Sequence, residues 1–160
     1  MLSIRILCVG KLKERYYSDA ASEYIKRLAG YCKPIIIEIP EHRLQAEPSD
    51  AQIKIALEKE AEEIKTKLQA GEFTIVLCVE GRGMDSYGLS ELLSDCSVHG
   101  TSRLCFIIGG SHGLHNDIKS AADIRLSLSK MTFPHHLARI MLLEQLYRAF
   151  KIAEGGKYHK

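Results

Sequence analysis

LCFIIGGSHG (Leu104–Gly113) runs five apolar residues into a glycine-rich turn. A strand that is apolar at every position has no face for solvent, so it belongs in a parallel sheet covered by helices on both sides. Phe73–Glu80 contains a second such run, Ile75–Val79, and also leads into glycines at Gly81 and Gly83. These two read as central strands. Leu2–Val9, Ile35–Ile39 and Ile124–Leu128 supply three more strand-like runs, and helix-like spacing separates all five. The alternation predicts an α/β fold with a parallel sheet.

The helices are signalled locally. Tyr16–Leu28 has apolar residues at helical spacing, and Ser49 with Gln52 forms a capping box for a helix running to about Leu68, before Gly71. Ser86 or Ser90 opens a short helix ending near Cys96. Another follows Gly113 through about Ala122, and Pro134 suits the first turn of a last helix from His135 to about Ile152. Glu41–Asp50 is the candidate mobile loop.

The chain has 160 residues, 46% hydrophobic and 26% charged, which predicts one domain spanning residues 1–160. Cys8, Cys32, Cys78, Cys96 and Cys105 are odd in number and lack C-x-x-C pairing. That favours reduced, buried thiols in a cytosolic protein and gives no metal site. Leu2–Val9 lacks the layout of a signal peptide, and no apolar run nears the roughly 20 residues that span a bilayer.

The net charge of +2 is too small to argue for nucleic acid by itself. Its distribution is uneven: acids dominate Glu41–Glu63 and bases dominate from Arg125 onward, with a second basic group at Lys11, Lys13 and Arg15. Solvated surface charge explains such runs equally well.

Three turns carry the chemistry. Gly109-Gly110-Ser111-His112-Gly113 follows a buried strand and lets a ligand approach the backbone. It is neither a G-x-G-x-x-G fingerprint nor a P-loop, which weakens a dinucleotide oxidoreductase reading. Leu128–Pro134 is an apolar-rich loop where a polar turn is normal, so it either packs as core or walls a pocket with an apolar ligand face. Leu77–Gly83 is the third strand end. Ligands of open α/β sheets bind outside the carboxyl ends of strands, so the three predict one pocket.

The last helix has apolar residues on more than one face, including Ile140, Met141, Leu146, Tyr147 and Phe150. The surplus face predicts a two-fold dimer. Beyond it, Lys157, Tyr158, His159 and Lys160 form a tail equipped to stack on a base, exchange a proton and meet a phosphate.

VGKLKERY (Val9–Tyr16), IIGGSHGLH (Ile107–His115), LSLSKMTFPH (Leu126–His135), EQLYRAFKI (Glu144–Ile152) and YHK (Tyr158–Lys160) together resemble the ribosomal RNA large-subunit methyltransferase H family, over essentially the whole chain. The resemblance implies a SPOUT fold, a parallel-sheet α/β/α sandwich with a C-terminal trefoil knot, and a homodimer without membrane or metal partners. It also implies an S-adenosylmethionine-dependent enzyme that methylates N3 of pseudouridine 1915 in 23S ribosomal RNA within the ribosome. By similarity the cofactor would be held by Leu77, Gly110, and Ser129, Lys130, Met131, Thr132, Phe133 and Pro134.

A sulfonium methyl is already electrophilic, so positioning and water exclusion can supply most of the acceleration. The acceptor imide must lose a proton, so a base or a stabiliser of the resulting anion would help; Arg139, Tyr158 and His159 are the catalytic candidates, with His112, His135 and His136 as alternatives. A cysteine nucleophile at Cys105 or Cys78 is disfavoured, because an apolar strand raises a thiol pKa. A non-catalytic RNA-binding module of ribosome assembly is the competing reading; it would not need three converging pocket-forming turns.

Overall fold

A computed structural model describes residues Met1–Tyr158. Five strands alternate with five helices: β1 Ser3–Val9, α1 Arg15–Leu28, β2 Lys33–Ile39, α2 Asp50–Lys67, β3 Phe73–Gly83, α3 Ser86–Val98, β4 Arg103–Ile108, α4 Asn116–Ala121, β5 Ile124–Ser127 and α5 His135–Ala153. The strands form one parallel sheet in the order β2-β1-β4-β3-β5.

Strand alternation divides the core in two. From β1, Ile4, Ile6 and Cys8 pack with Leu28 of α1, Leu93 of α3 and Leu142 of α5, while Leu7 and Val9 pack with Ile64 of α2 and Ile118 of α4. The sheet is therefore a middle layer with α1, α3 and α5 on one face and α2 and α4 on the other. Helices on the first face connect strands in one direction and those on the second face in the opposite direction, so all four crossovers share one hand, as parallel sheets require. No helix among the described residues is long and apolar enough to cross a membrane.

The expected helix signals are mostly in place. Ser49 and Gln52 make the reciprocal capping box, with Gln52 N donating to Ser49 Oγ at 3.2 Å and Ser49 N to Gln52 Oε1 at 2.8 Å. α3 opens at Ser86, the first of the two expected starts, and its cap is Asp85, whose Oδ1 accepts from Gly88 N at 2.8 Å. Ser90 instead lies inside the helix and donates to Ala149 O of α5 at 2.8 Å, a buried tie between the two helices. Pro134 occupies the cap position of α5 rather than its first turn. The loop expected to be mobile, Glu41–Asp50, is irregular but fastened at its start, where His42 N donates to Glu60 Oε2 at 2.8 Å.

The two apolar faces of α5 receive a different explanation from the one its sequence suggests. α5 lies in the trough between α1 and α3, so Leu142, Leu143, Leu146 and Ala149 are buried and Ile140, Tyr147 and Phe150 pack against the same core. Neighbouring helices of the same chain cover part of the surplus face, while Ile140, Met141, Tyr147, Phe150 and Ile152 stay half-buried. The apolar pattern is thus no independent argument for a second subunit.

Candidate functional site

The carboxyl ends of β3, β4 and β5 are adjacent in the sheet and open onto a cavity of about 790 Å³. Its walls come from Leu77–Glu80 in the irregular second half of β3, Ile108–Leu114 at and beyond the end of β4, and Leu128, Ser129 and Met131–Pro134 after β5, with Lys119, His135 and Ala138 completing them. The three turns thus converge, and the volume lies in the range of ordinary small-molecule sites.

Backbone contacts shape each wall. On β3, Leu77 and Arg82 both pair with Leu126 of β5, so Cys78–Gly81 arches out of the ladder and into the cavity wall. Gly81 is required there, since a Cβ would fall 2.8 Å from the backbone carbons of Arg125 and Leu126. After β4 the chain folds back on itself, with Gly113 N donating to Gly110 O at 3.1 Å. A Cβ on Gly109 would sit 2.3 Å from Gly113 O, and Gly113 has φ +79°, so the turn needs glycine for close approach and for left-handed backbone.

Two charged groups frame the cavity. Lys119 Nζ of α4 donates to Glu80 Oε1 on the β3 arch at 2.5 Å, which joins two walls and holds the Glu80 carboxyl below its usual range. Behind the glycine turn, Glu41 Oε1 accepts from Ser111 Oγ at 2.8 Å and Ser111 N at 3.2 Å. Burial pushes the Glu41 carboxyl up, but the Ser111 hydrogen bonds and the nearby His135 and His136 outweigh it, leaving it below the usual value. A Cβ on Gly110 would meet this carboxylate at 2.9 Å and Val9 Cγ1 at 3.1 Å. Gly110 is therefore small on its interior side.

Of the residues expected to hold a cofactor, Leu77, Gly110, Ser129, Met131, Thr132, Phe133 and Pro134 line the cavity. Lys130 is exposed and lies outside the lining. The expected catalytic residues are placed elsewhere. Arg139 is 3% exposed, donating from Nη1 to Glu38 Oε2 at 2.9 Å and from Nη2 to Gly10 O at 3.0 Å. Tyr158 lies along α5, its ring 5.0 Å from that of Tyr147 and 4.7 Å from the Arg148 guanidinium, its hydroxyl donating to Glu144 at 3.3 Å. Neither lines this cavity. His159 lies outside the described residues.

The sequence reading missed Lys119, Glu80 and Glu41. Glu80 stood inside a quoted motif, but nothing in the pattern identified Lys119 as its partner across the sheet edge. His135 was only an alternative; it lines the cavity, and burial first, then His136, lower its pKa. The thiols are as expected: burial pushes Cys105 up to about 12 and also raises Cys78, which borders the cavity.

A parallel α/β/α sandwich with its cavity at three turns beyond the sheet matches known folds. A probable methyltransferase from Bordetella pertussis Tohama I superposes with TM-score 0.58 at 13% identity, covering 92% of this chain and 96% of that one. A probable methylase family protein from Haemophilus influenzae Rd KW20 gives 0.57 at 15% identity, covering 100% and 72%. At such identities the likeness concerns the fold. The family model described as "Predicted SPOUT methyltransferase" matches residues 2–159, and the chain belongs to that family. Among its relatives, the ribosomal RNA large subunit methyltransferase H of Streptococcus equi subsp. zooepidemicus (strain MGCS10565) is 44% identical, and that of Clostridioides difficile (strain 630) 43%. Each aligns over 159 residues, 99% of this chain and 100% of the relative.

Proposed function

We propose that this protein transfers a methyl group from S-adenosylmethionine to 23S ribosomal RNA of the large subunit, at N3 of pseudouridine 1915, acting in the cytoplasm as a homodimer with a knotted chain. The observation that carries the reading is the cavity at the three converging turns, in a chain whose full-length relatives bear the name ribosomal RNA large subunit methyltransferase H.

The residues present fit the cofactor. Leu77, Ile108, Leu114, Leu128 and Phe133 offer apolar walls for adenine, and the Glu80–Lys119 pair offers both charges to a zwitterionic methionyl end. When bound, the cofactor supplies an electrophilic methyl. The protein's part is then orientation and exclusion of water by the apolar loop Leu128–Pro134. A knot at this loop would account for its apolar composition.

Proton removal from the acceptor is assigned to the tail of a partner subunit reaching over the cavity, because Tyr158 turns away from its own chain's cavity and Arg139 is a fixed cation that cannot accept a proton. Arg139 is better placed to position than to catalyse. Calorimetric titration with S-adenosylmethionine and NAD in parallel tests the cofactor: saturable binding of the first alone is expected, and binding of NAD alone would reverse the reading. Deleting Tyr158–Lys160 tests the tail, with cofactor affinity expected to survive and methyl transfer to fall by orders of magnitude.

A further inference from the structure

Beyond β1 the chain makes a short, rigidly held excursion that no step above uses. Gly10, at φ +96°, turns the backbone off the sheet, and its carbonyl accepts from Arg139 Nη2 at 3.0 Å. Leu12 N donates to Glu38 Oε2 at 3.3 Å, the same oxygen that takes Arg139 Nη1 at 2.9 Å. With the Leu12 side chain packed against the core, Lys11 and Lys13 on either side are exposed. The pair of buried Arg139 and solvent-reaching Glu38 thus fixes two outward lysines.

Three further observations point to an occupant. First, among the described residues neither Lys11 nor Lys13 has an ion-pair partner, whereas much of the basic C-terminal region is internally neutralised: Arg139 by Glu38, Arg148 by Glu144 and Lys151 by Glu154. Second, Tyr16 at the start of α1 is 67% exposed and is backed by the Tyr17 ring at 4.6 Å. Third, the rings continue inward: Tyr17 is 6.1 Å from His136, His136 is 4.0 Å from His135, and His135 lines the cavity. An aromatic ring braced from behind, on one short segment with two exposed lysines, is the equipment for stacking a base and contacting phosphates of an unpaired strand. Glu14 is exposed nearby, and Arg15 lies 3.7 Å from Asp19, so the local excess of positive charge belongs to the lysines.

We infer that Lys11–Tyr16 is a docking arm for the single-stranded RNA flanking the methyl acceptor, with Tyr16 stacking on a base and Lys11 and Lys13 holding its phosphates. The inference deepens the proposed RNA methyl transfer and rests on it.

The test compares wild type, Tyr16→Ala, Tyr16→Phe and Lys11→Glu/Lys13→Glu, with Lys26→Glu/Lys33→Glu as a charge-matched control toward the amino-terminal end of the strands. Calorimetry with S-adenosylmethionine should give the same affinity for all. KM for ribosomes should rise about 10-fold in Tyr16→Ala and be restored by Tyr16→Phe. The lysine pair should flatten the plot of log affinity for ribosomes against log salt by about 1.4, with the control unchanged. An unaltered KM and salt slope in the arm variants would overturn the inference. So would an equal effect of the control, or a parallel loss of cofactor affinity. If wild type itself transfers no methyl to ribosomes, the proposed function fails, and the salt slope of ribosome binding still decides the arm.

Discussion

Ser111 donates to Glu41 Oε1 through both its hydroxyl and its amide, at 2.8 and 3.2 Å, and so fastens the loop after β2 to the glycine turn after β4. The cavity wall is therefore braced from outside the cavity. Glu41→Ala should weaken S-adenosylmethionine binding about 5- to 10-fold, the size of one charge-assisted hydrogen bond at a partly exposed site. Glu41→Gln should lose less. Calorimetric titration reads both.

Gly110 faces this carboxylate at a distance no Cβ tolerates. Gly110→Ala should therefore displace Glu41 and lose cofactor affinity. In a Glu41→Ala background the same change should lose less, because Val9 Cγ1 is then the main obstacle. A double-mutant cycle measures the coupling, and strict additivity would show that Gly110 acts through the ligand instead.

Arg139 separates a positioning role from a catalytic one. Arg139 is buried but its partner Glu38 reaches solvent, so Arg139→Ala strands no charge and should lower unfolding free energy by about 1–2 kcal/mol in urea titration, the size of the hydrogen bonds lost to Glu38 and to the Gly10 carbonyl. Unchanged stability with lost turnover would instead make Arg139 a catalytic group.

The pH dependence of stability follows from His135 and its neighbours. Burial, then His136, pull the His135 imidazole below its ordinary 6.5, with Glu41 opposing and Arg139 reinforcing the shift. Below 6.5 the unfolded chain thus binds a proton that the folded site resists, so stability falls as pH drops through that window. Glu41, lowered from 4.5, adds stability present above that value and lost as pH falls further. Glu60, raised chiefly by burial, has the opposite sign and acts nearer its own 4.5. The melting temperature should fall between about pH 7 and pH 5.5, and His135→Asn should flatten that slope.

The fold was legible because burial on both faces leaves a visible mark: Ile75–Val79 and Leu104–Ile108 are uninterrupted apolar runs. The converging turns followed from the sheet rule alone. What escaped were the long-range polar pairs. Lys119 and Glu80 are 39 residues apart, and Ser111 and Glu41 are 70 apart. Such pairs follow from strand order, which no local period encodes. The apolar faces of α5 are legible, but the α1 and α3 helices that take up part of them are set by the fold rather than by any local period. Arg139 is a catalytic candidate in the sequence, where nothing marks its partner Glu38, 101 residues away.

The measurement that bears most directly on the whole account is transfer of labelled methyl from S-adenosylmethionine to ribosomes lacking the modification, followed by mapping of the label. The account predicts label in large-subunit RNA, on N3 of one pseudouridine, dependent on the wild-type protein. Saturable cofactor binding with no label in that RNA would contradict it.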